Sequence, residues 1–314
     1  MNSRHHHYIP QCYLRGFVDE VGSKGRLIVA SLKDRRRFET KPRNVAGIRY
    51  FNRIDAEGVK SDVLETILSD FEGKVATALR HIDETGVFEG NDRLTILNLV
   101  ALLAVRHPTM RENWRRFEEE CARRILDLTL ATKECYDSSV QQVKNDGIEV
   151  PEDVSYEDLK VAHESGDYTL EVPRERHLDL EFRSMDTVLS LLVERKWSLF
   201  RSREPESPFI TTDRPVVLTW RHPEKLPAPM RHSPGFQMLD TEVLFPLSKR
   251  AVIAGTFDQP EVAVDVSLPL VAMANTKMIM HAVDQLYSST SRFPYFGQDG
   301  QAYNDCLLFQ RVGT

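Results

Sequence analysis

Residues 62–82 read DVLETILSDFEGKVATALRHI, and the class of fold turns on how this stretch is wound. Val63, Ile67, Phe71, Val75 and Leu79 recur every four positions, which is the stripe of a helix and not the alternation of a strand. Ser61 stands four residues ahead of Glu65, close to capping-box spacing, so the helix is expected to begin there. The pattern stays helical from Asp92 to about Lys144, with a break near Pro108, because proline lacks an amide and disfavours helical geometry in the residue before it. The most apolar run, ILNLVALLAV at 96–105, is ten residues long against the roughly 20 that a spanning helix needs, and it reads as a buried helix.

Outside this helical block the chemistry changes. GRLIVASL (25–32) and VAGIRYFNRI (45–54) are strand-like, and KDRRRFET (33–40) between them reads as a charged turn and return. Residues 145–175 are polar and rich in turn formers. They are expected to be an excursion or linker with one short helix starting at Ser155. A further helix carries Met185, Leu189, Leu192 and Lys196–Trp197 at three-to-four spacing. After Pro205, SPFITTDRPVVLTW and TEVLFPLSKRAVIAGTF are strand-like, residues 268–289 resume helical spacing, and DCLLFQRV (305–312) is expected to close the chain as a strand. Strands, then helices, then strands with a late helix imply an α+β fold: one domain, or two packed lobes with 1–60 and 205–314 β-rich and 61–204 helical.

With 314 residues, 41% of them hydrophobic and 28% charged, the chain is long enough to bury a large core. A net charge of -6 gives no global attraction to polyanions, so nucleic-acid contact would need a local basic patch, for which Arg35–Arg37 is the densest cluster. Cys12, Cys121, Cys135 and Cys306 have neither zinc-ribbon nor disulfide-framework spacing. Reduced thiols, the lack of a secretory leader pattern and the lack of a spanning segment lead to the expectation of a cytoplasmic protein with no membrane partner.

The N-terminal run RHHHYIPQCYLRGF (4–17) carries the densest chemistry. Pro10 suits the first position of a short helix that stops at Gly16. On that helix Gln11 and Arg15 share one face, while Leu14 and Phe17 share another that is expected to anchor in the core. If residues 5–9 are extended, His5 and His7 point to one side and His6 to the other. Three readings of the histidines stay open: packing with backbone hydrogen bonds, ligation of a metal, or, with Gln11 and Arg15, holding an anion at the helix start.

This run resembles the N-terminal signature of the bacterial family called domain of unknown function 4238, His-His-x-x-Pro followed by Leu-(Arg)-x-Phe, with His6 and His7 matching the pair. Later blocks are similar as well: YFN (50–52), LETILSDFEGK with Glu65 and Glu72, RHPTMR (106–111), PFITTDRPVV (208–217) and FPLSKRAVIAG (245–255). The fourth block of that family runs closer to Thr-Ser-Asp-Asn-Pro, and here Thr212 and Arg214 replace the serine and asparagine. The resemblance implies a family and no reaction.

The other candidates follow from position. Glu65 and Glu72 lie two helical turns apart on roughly one face, a spacing that suits a metal or a general base as well as a solvated helix surface. Arg106 follows the apolar 96–105 segment and is expected to be carried inward, where a guanidinium needs an acidic partner such as Glu65 or Glu72, or an anionic ligand. Asp213 in TTDRP is a ready turn former and also a candidate metal ligand. Asn275, His281 and Tyr287 read as packing or capping residues. Neither a phosphate-cradling glycine loop, a nucleophile elbow nor a His-Glu-x-x-His helix is present in the sequence.

Two expectations result. The first is a hydrolase or nuclease processing a phosphodiester or nucleotide, a defence or toxin effector, with His6 and His7 as base or ligand. In it Glu65, Glu72 and Asp213 hold a divalent metal, Gln11, Arg15 and Arg106 meet the anion, and the partner is a nucleotide, RNA or DNA. The second is a non-enzymatic ligand-binding or protein-interaction module, in which the same polar set is structural and the charged 112–128 helix faces a protein partner.

Overall fold

The computed structural model describes residues 5–20, 24–52, 63–150, 155–166, 168–169, 174–204, 206–231, 234–305 and 308–311. The fold is α+β, as the segregation of the sequence patterns implies. The expected capping residue Ser61 and the 53–54 end of the VAGIRYFNRI run lie outside the described residues.

The helix expected over the opening stretch spans Val63–Thr85, but its buried row is Leu64, Leu68, Val75, Ala78 and Ile82, and Ile67 is 60% exposed. A strict four-residue repeat advances 400° and so winds around an α-helix, whereas alternating steps of four and three stay on one face. The next helix, Gly90–Val105, is buried along most of its length, ending in Leu99, Val100, Ala101, Leu102, Leu103 and Val105. It stops at Arg106, and Pro108 opens the Pro108–Thr129 helix. The break therefore falls where proline removes the amide that the preceding helix would have used.

There are two principal sheets. One is five-stranded in the order Ala263–Asp265, Lys196–Arg201, Ala251–Thr256, Thr241–Ser248, Val217–Trp220, with the first pair parallel and the rest antiparallel. The other is antiparallel and four-stranded, in the order Arg36–Thr40, Leu27–Ser31, Gln285–Ser288, Thr211–Thr212. Smaller two-stranded pairings join His5–His7 to Gly47–Arg49 and Phe293–Phe296 to Ala302–Asp305. The short helix Gln11–Leu14 passes into a 3-10 turn, Arg15–Phe17, that presses Tyr13, Leu14 and Phe17 into the core at 0% exposure. The Tyr13 ring stacks on Phe245 with centroids 5.1 Å apart, and its hydroxyl meets Thr211 Oγ1 at 2.7 Å.

Several element ends differ from the expected ones. The Arg174–Val193 helix stops before Lys196–Trp197, which begins a strand instead. The Trp197 indole N–H donates to Leu192 O at 2.8 Å, satisfying a last-turn carbonyl of that helix. The late helix is Leu268–His281, and Gln285–Ser288 is a strand, because Leu286 and Tyr287 both pack against neighbouring strands and carry no helical period. The expected closing strand lies one segment earlier, at Ala302–Asp305, and Leu308–Arg311 is a helical turn. A short helix does follow Ser155, whose hydroxyl accepts from Asp158 N–H at the N-cap of Tyr156–Ser165.

Compactness divides the chain into residues 1–107 with 180–314, and residues 108–179. The 63–107 and 180–193 helices thus group with the sheets, a boundary unlike the expected 61–204 lobe. In the smaller unit none of the described side chains of the Pro108–Thr129, Lys133–Asn145 and Tyr156–Ser165 helices is fully buried.

One buried amide ties three segments of the larger unit. Asn275 is 0% exposed; its Oδ1 accepts from Ile210 N–H at 3.0 Å, and its Nδ2 donates to Pro208 O at 3.0 Å and Pro294 O at 2.8 Å. Replacing it by alanine strands a buried donor and two acceptors, so Asn275→Ala is expected to cost about 3 kcal/mol, read as the shift in a urea denaturation midpoint.

Candidate functional site

The N-terminal strand places its histidines as alternation requires. His6 is 6% exposed and His7 is half-buried. His7 Nδ1 lies 3.0 Å from Val45 O, so Nδ1 must carry the proton and, in the neutral ring, the lone pair sits on Nε2. His6 has the opposite tautomer. Its Nδ1 accepts the backbone N–H of Asn52 at 2.9 Å, which leaves no room for a proton on that nitrogen. The approach of His6 Nδ1 to Glu65 Oε1 at 3.5 Å is consequently a close packing of two acceptors around a shared neighbour, and not an ion pair.

That neighbour is Asn52, 1% exposed. Its Nδ2 donates to Glu65 Oε1, and its Oδ1 accepts from Arg106 Nη2 at 2.6 Å. Arg106, 3% exposed, sits at the C-cap of the apolar helix with its N–H on Leu102 O at 3.1 Å. Its Nε is 3.8 Å from a Glu181 carboxylate oxygen, and its guanidinium lies 5.9 Å from the Phe51 ring centre. The expected acidic partner of Arg106 was Glu65 or Glu72; the structure puts Glu181 beside it and joins Glu65 to it through Asn52.

Around this buried layer stand more accessible groups. Glu65, Glu72, Gln11 and Cys12 are half-buried and Arg15 is exposed. Burial raises the Glu72 carboxyl above its ordinary value, and Glu65 pushes it the same way while Arg106 and Arg15 oppose the rise. Burial, followed by the Glu72 charge, pushes the Cys12 thiol up to about 12, so it stays a protonated, unreactive thiol at neutral pH. His6, Glu65, Glu72, Arg106 and Arg15 are thus linked in a chain of close contacts and charges through Asn52, Glu65 and Glu72.

Asp213 belongs to an adjoining network. Its Oδ1 accepts from Val283 N–H at 2.9 Å, and its Oδ2 from Asp284 N–H at 2.7 Å and Gln285 N–H at 2.9 Å. These bonds hold the turn before the Gln285–Ser288 strand, the turn-forming role that the TTDRP sequence allows. Burial and the Asp213 charge raise the Tyr8 phenol, which is hydrogen-bonded to Tyr287. Tyr8 in turn packs edge-on against His107, with ring centres 5.6 Å apart. Among the described residues no group of three or more His, Cys, Asp or Glu is arranged to hold a metal ion.

Sequence reasoning missed Asn52, Glu181, Tyr8 and His107. Glu181 had a legible signal: Leu178, Glu181 and Met185 fall at steps of three and four, which puts a carboxylate on an apolar helix face. Asn52 had none, since its position depends on backbone contacts between distant strands.

Two titrations follow from this environment. Burial first, then Arg214 and Lys33, lower the His107 imidazole to about 4. A base depressed on folding contributes stability at neutral pH that is lost as pH falls from about 6.5 toward 4, on the order of 3 kcal/mol in all. His107→Phe is expected to flatten the acid limb of the melting temperature between those values. A carboxyl raised on folding behaves in reverse: its contribution is present at low pH and lost as pH rises through the raised value. Glu72→Gln is therefore expected to melt progressively higher than the wild type as pH increases from 4 to 7, in the same thermal scans.

No helix among the described residues is long and apolar enough to cross a membrane. No curated protein and no solved structure matches the chain. A family model does match, over residues 5–292, a span that takes in the histidine strand, both glutamates, Arg106 and Asp213. The chain belongs to the family described as Protein of unknown function (DUF4238).

Proposed function

We propose that the protein is a hydrolase acting on a phosphodiester or nucleotide, with Glu72 and Arg15 meeting the substrate in front of the His6–Asn52–Arg106 layer and His7 brought to it as the base. The observation that carries this reading is the raised carboxyl of Glu72 between two guanidinium groups. A carboxylic acid that keeps its proton nearer neutrality is a competent general acid, and an adjacent cation attracts an anionic substrate. In the reaction, the His7 Nε2 lone pair takes a proton from the attacking water. The water oxygen bonds to phosphorus, and Glu72 gives its proton to the leaving oxygen. Arg15 neutralises the phosphoryl oxygens, and Gln11 hydrogen-bonds the substrate. Arg106, buried, hydrogen-bonded to Asn52 and ion-paired with Glu181, is a positioning residue in this scheme.

The test is turnover of RNA, DNA and nucleotides by the purified protein beside His7→Ala and Glu72→Gln. Each variant is expected to lose at least about 100-fold. The rate of the wild type should fall as pH rises through the Glu72 value, and that limb should be missing in Glu72→Gln. Undiminished turnover in both variants overturns the assignment. Loss of all turnover on chelation would move Glu65 and Glu72 from proton transfer to ligation of a divalent metal.

One observation favours a second reading, a protein-interaction module. On the Pro108–Thr129 helix, Phe117, Ile125 and Leu128 are 57%, 63% and 72% exposed on one face. Under that reading the wild type turns over none of these substrates.

A further inference from the structure

A second cleft, of about 610 Å³, opens in the larger unit and shares no residue with the histidine site. It lies where the Lys196–Arg201 strand runs out toward Arg203, beside the Lys249–Arg250 turn and Ser289–Thr290. Its volume is that of a small-molecule site. Four cationic and four acidic residues line it, so formal charge alone does not say what it takes. The hydrogen bonds do.

Each acid is already engaged by the protein. Asp265 bridges Arg201 at 3.2 Å and Arg203 at 2.6 Å. Asp83 accepts from Ser248 Oγ at 2.7 Å, and Glu204 from Ser207 Oγ at 3.2 Å. Asp19 Oδ1 accepts two backbone N–H groups, from Glu20 at 2.8 Å and Arg26 at 2.6 Å. Lys249 is spoken for as well: its Nζ donates to Val18 O at 2.9 Å and Asp19 O at 3.0 Å.

What remains is donors. Arg201 Nε is buried and has no hydrogen-bond acceptor. Gly86, at φ +68, leaves room for the group, since an added Cβ there would meet Arg201 Nη1 at 2.0 Å. The Arg250 guanidinium is exposed and has no ion pair among the described residues, and the half-buried Ser289 hydroxyl is likewise uncommitted there. Arg201 is bridged by Asp265 yet keeps one N–H without an acceptor, and the Arg250 guanidinium in the same lining has no ion pair among the described residues, so a phosphate oxygen is an acceptor suited to both. Pro208 and Ala251 add apolar wall for an organic part.

We propose that this cleft is a binding site for a phosphomonoester of nucleotide size, with Arg201, Arg250 and Ser289 on the phosphate. The proposal stands independently of the hydrolase reading, since its readout is binding.

The experiment is calorimetric titration of the full chain with adenosine 5′-monophosphate and, separately, with inorganic phosphate. The expected result is saturable binding of the nucleotide, tighter than phosphate, weakened at least tenfold by Arg250→Gln and by Arg201→Gln. Arg250 is exposed, so its variant keeps the fold, and equal melting temperatures verify this even if Arg201→Gln loosens the packing on Gly86. Absence of saturable binding up to about 10 mM, an affinity too weak for a built site, overturns the proposal. So does binding that Arg15→Gln abolishes and Arg250→Gln leaves intact, which assigns the ligand to the histidine site. Phosphate bound as tightly as the nucleotide overturns the size assignment.

Discussion

A guanidinium that is 3% exposed has to be answered by acceptors, and the answer to Arg106 organises the site. The apolar Gly90–Val105 helix ends in the core, so the residue after it is delivered there whatever its charge. Desolvating such a cation costs several kcal/mol unless its hydrogens are met. Asn52 accepts one of them, and the Glu181 carboxylate, 3.8 Å from Nε, balances the charge; the two come from segments that are far apart in the chain. Because Asn52 also presents its backbone N–H to His6 and its side-chain amide to Glu65, the demand of one buried charge sets the tautomer of a histidine and the place of a glutamate.

The consequences spread outward by electrostatics more than by contact. Glu72 sits near enough to Arg106 and Arg15 to be attracted and near enough to Glu65 to be repelled, with burial outweighing both. Burial, with the same carboxylate adding to it, keeps Cys12 from ionising. On the other side of the N-terminal strand, Tyr8 joins this layer to the Asp213 network, where three backbone donors fix a turn of the four-stranded sheet. A short N-terminal segment thereby lies between two polar networks whose other members come from residues 52–107, 181 and 213–287.

The α+β class was legible because strands and helices segregate along the chain, and the short helix at Gln11 was legible from Pro10 and the spacing of Leu14 and Phe17, although the winding does not stop at Gly16 but runs through it as a 3-10 turn. The face of the Val63–Thr85 helix was not, since a row of every fourth residue drifts off the buried side and Leu64 and Leu68 carry the contact. The strand at Gln285–Ser288 was read as helix because two adjacent buried residues have no distinguishing period. In the site, residue types announced themselves when they clashed with their surroundings, as Arg106 did after ten apolar-rich positions. Asn52, an ordinary turn residue in the sequence, gained its role from packing alone.

The account rests on the buried Arg106–Asn52–His6 array, and nitrogen-15 NMR of the histidine ring in the full chain examines it most directly. At neutral pH the His6 ring should appear as a single tautomer with its hydrogen on Nε2 and an accepting Nδ1, and Arg106→Lys should blur that into a mixture as Asn52 loses its anchor. A hydrogen found on Nδ1 of His6 in the wild type, or a spectrum indifferent to the lysine substitution, would contradict the arrangement on which the site is built.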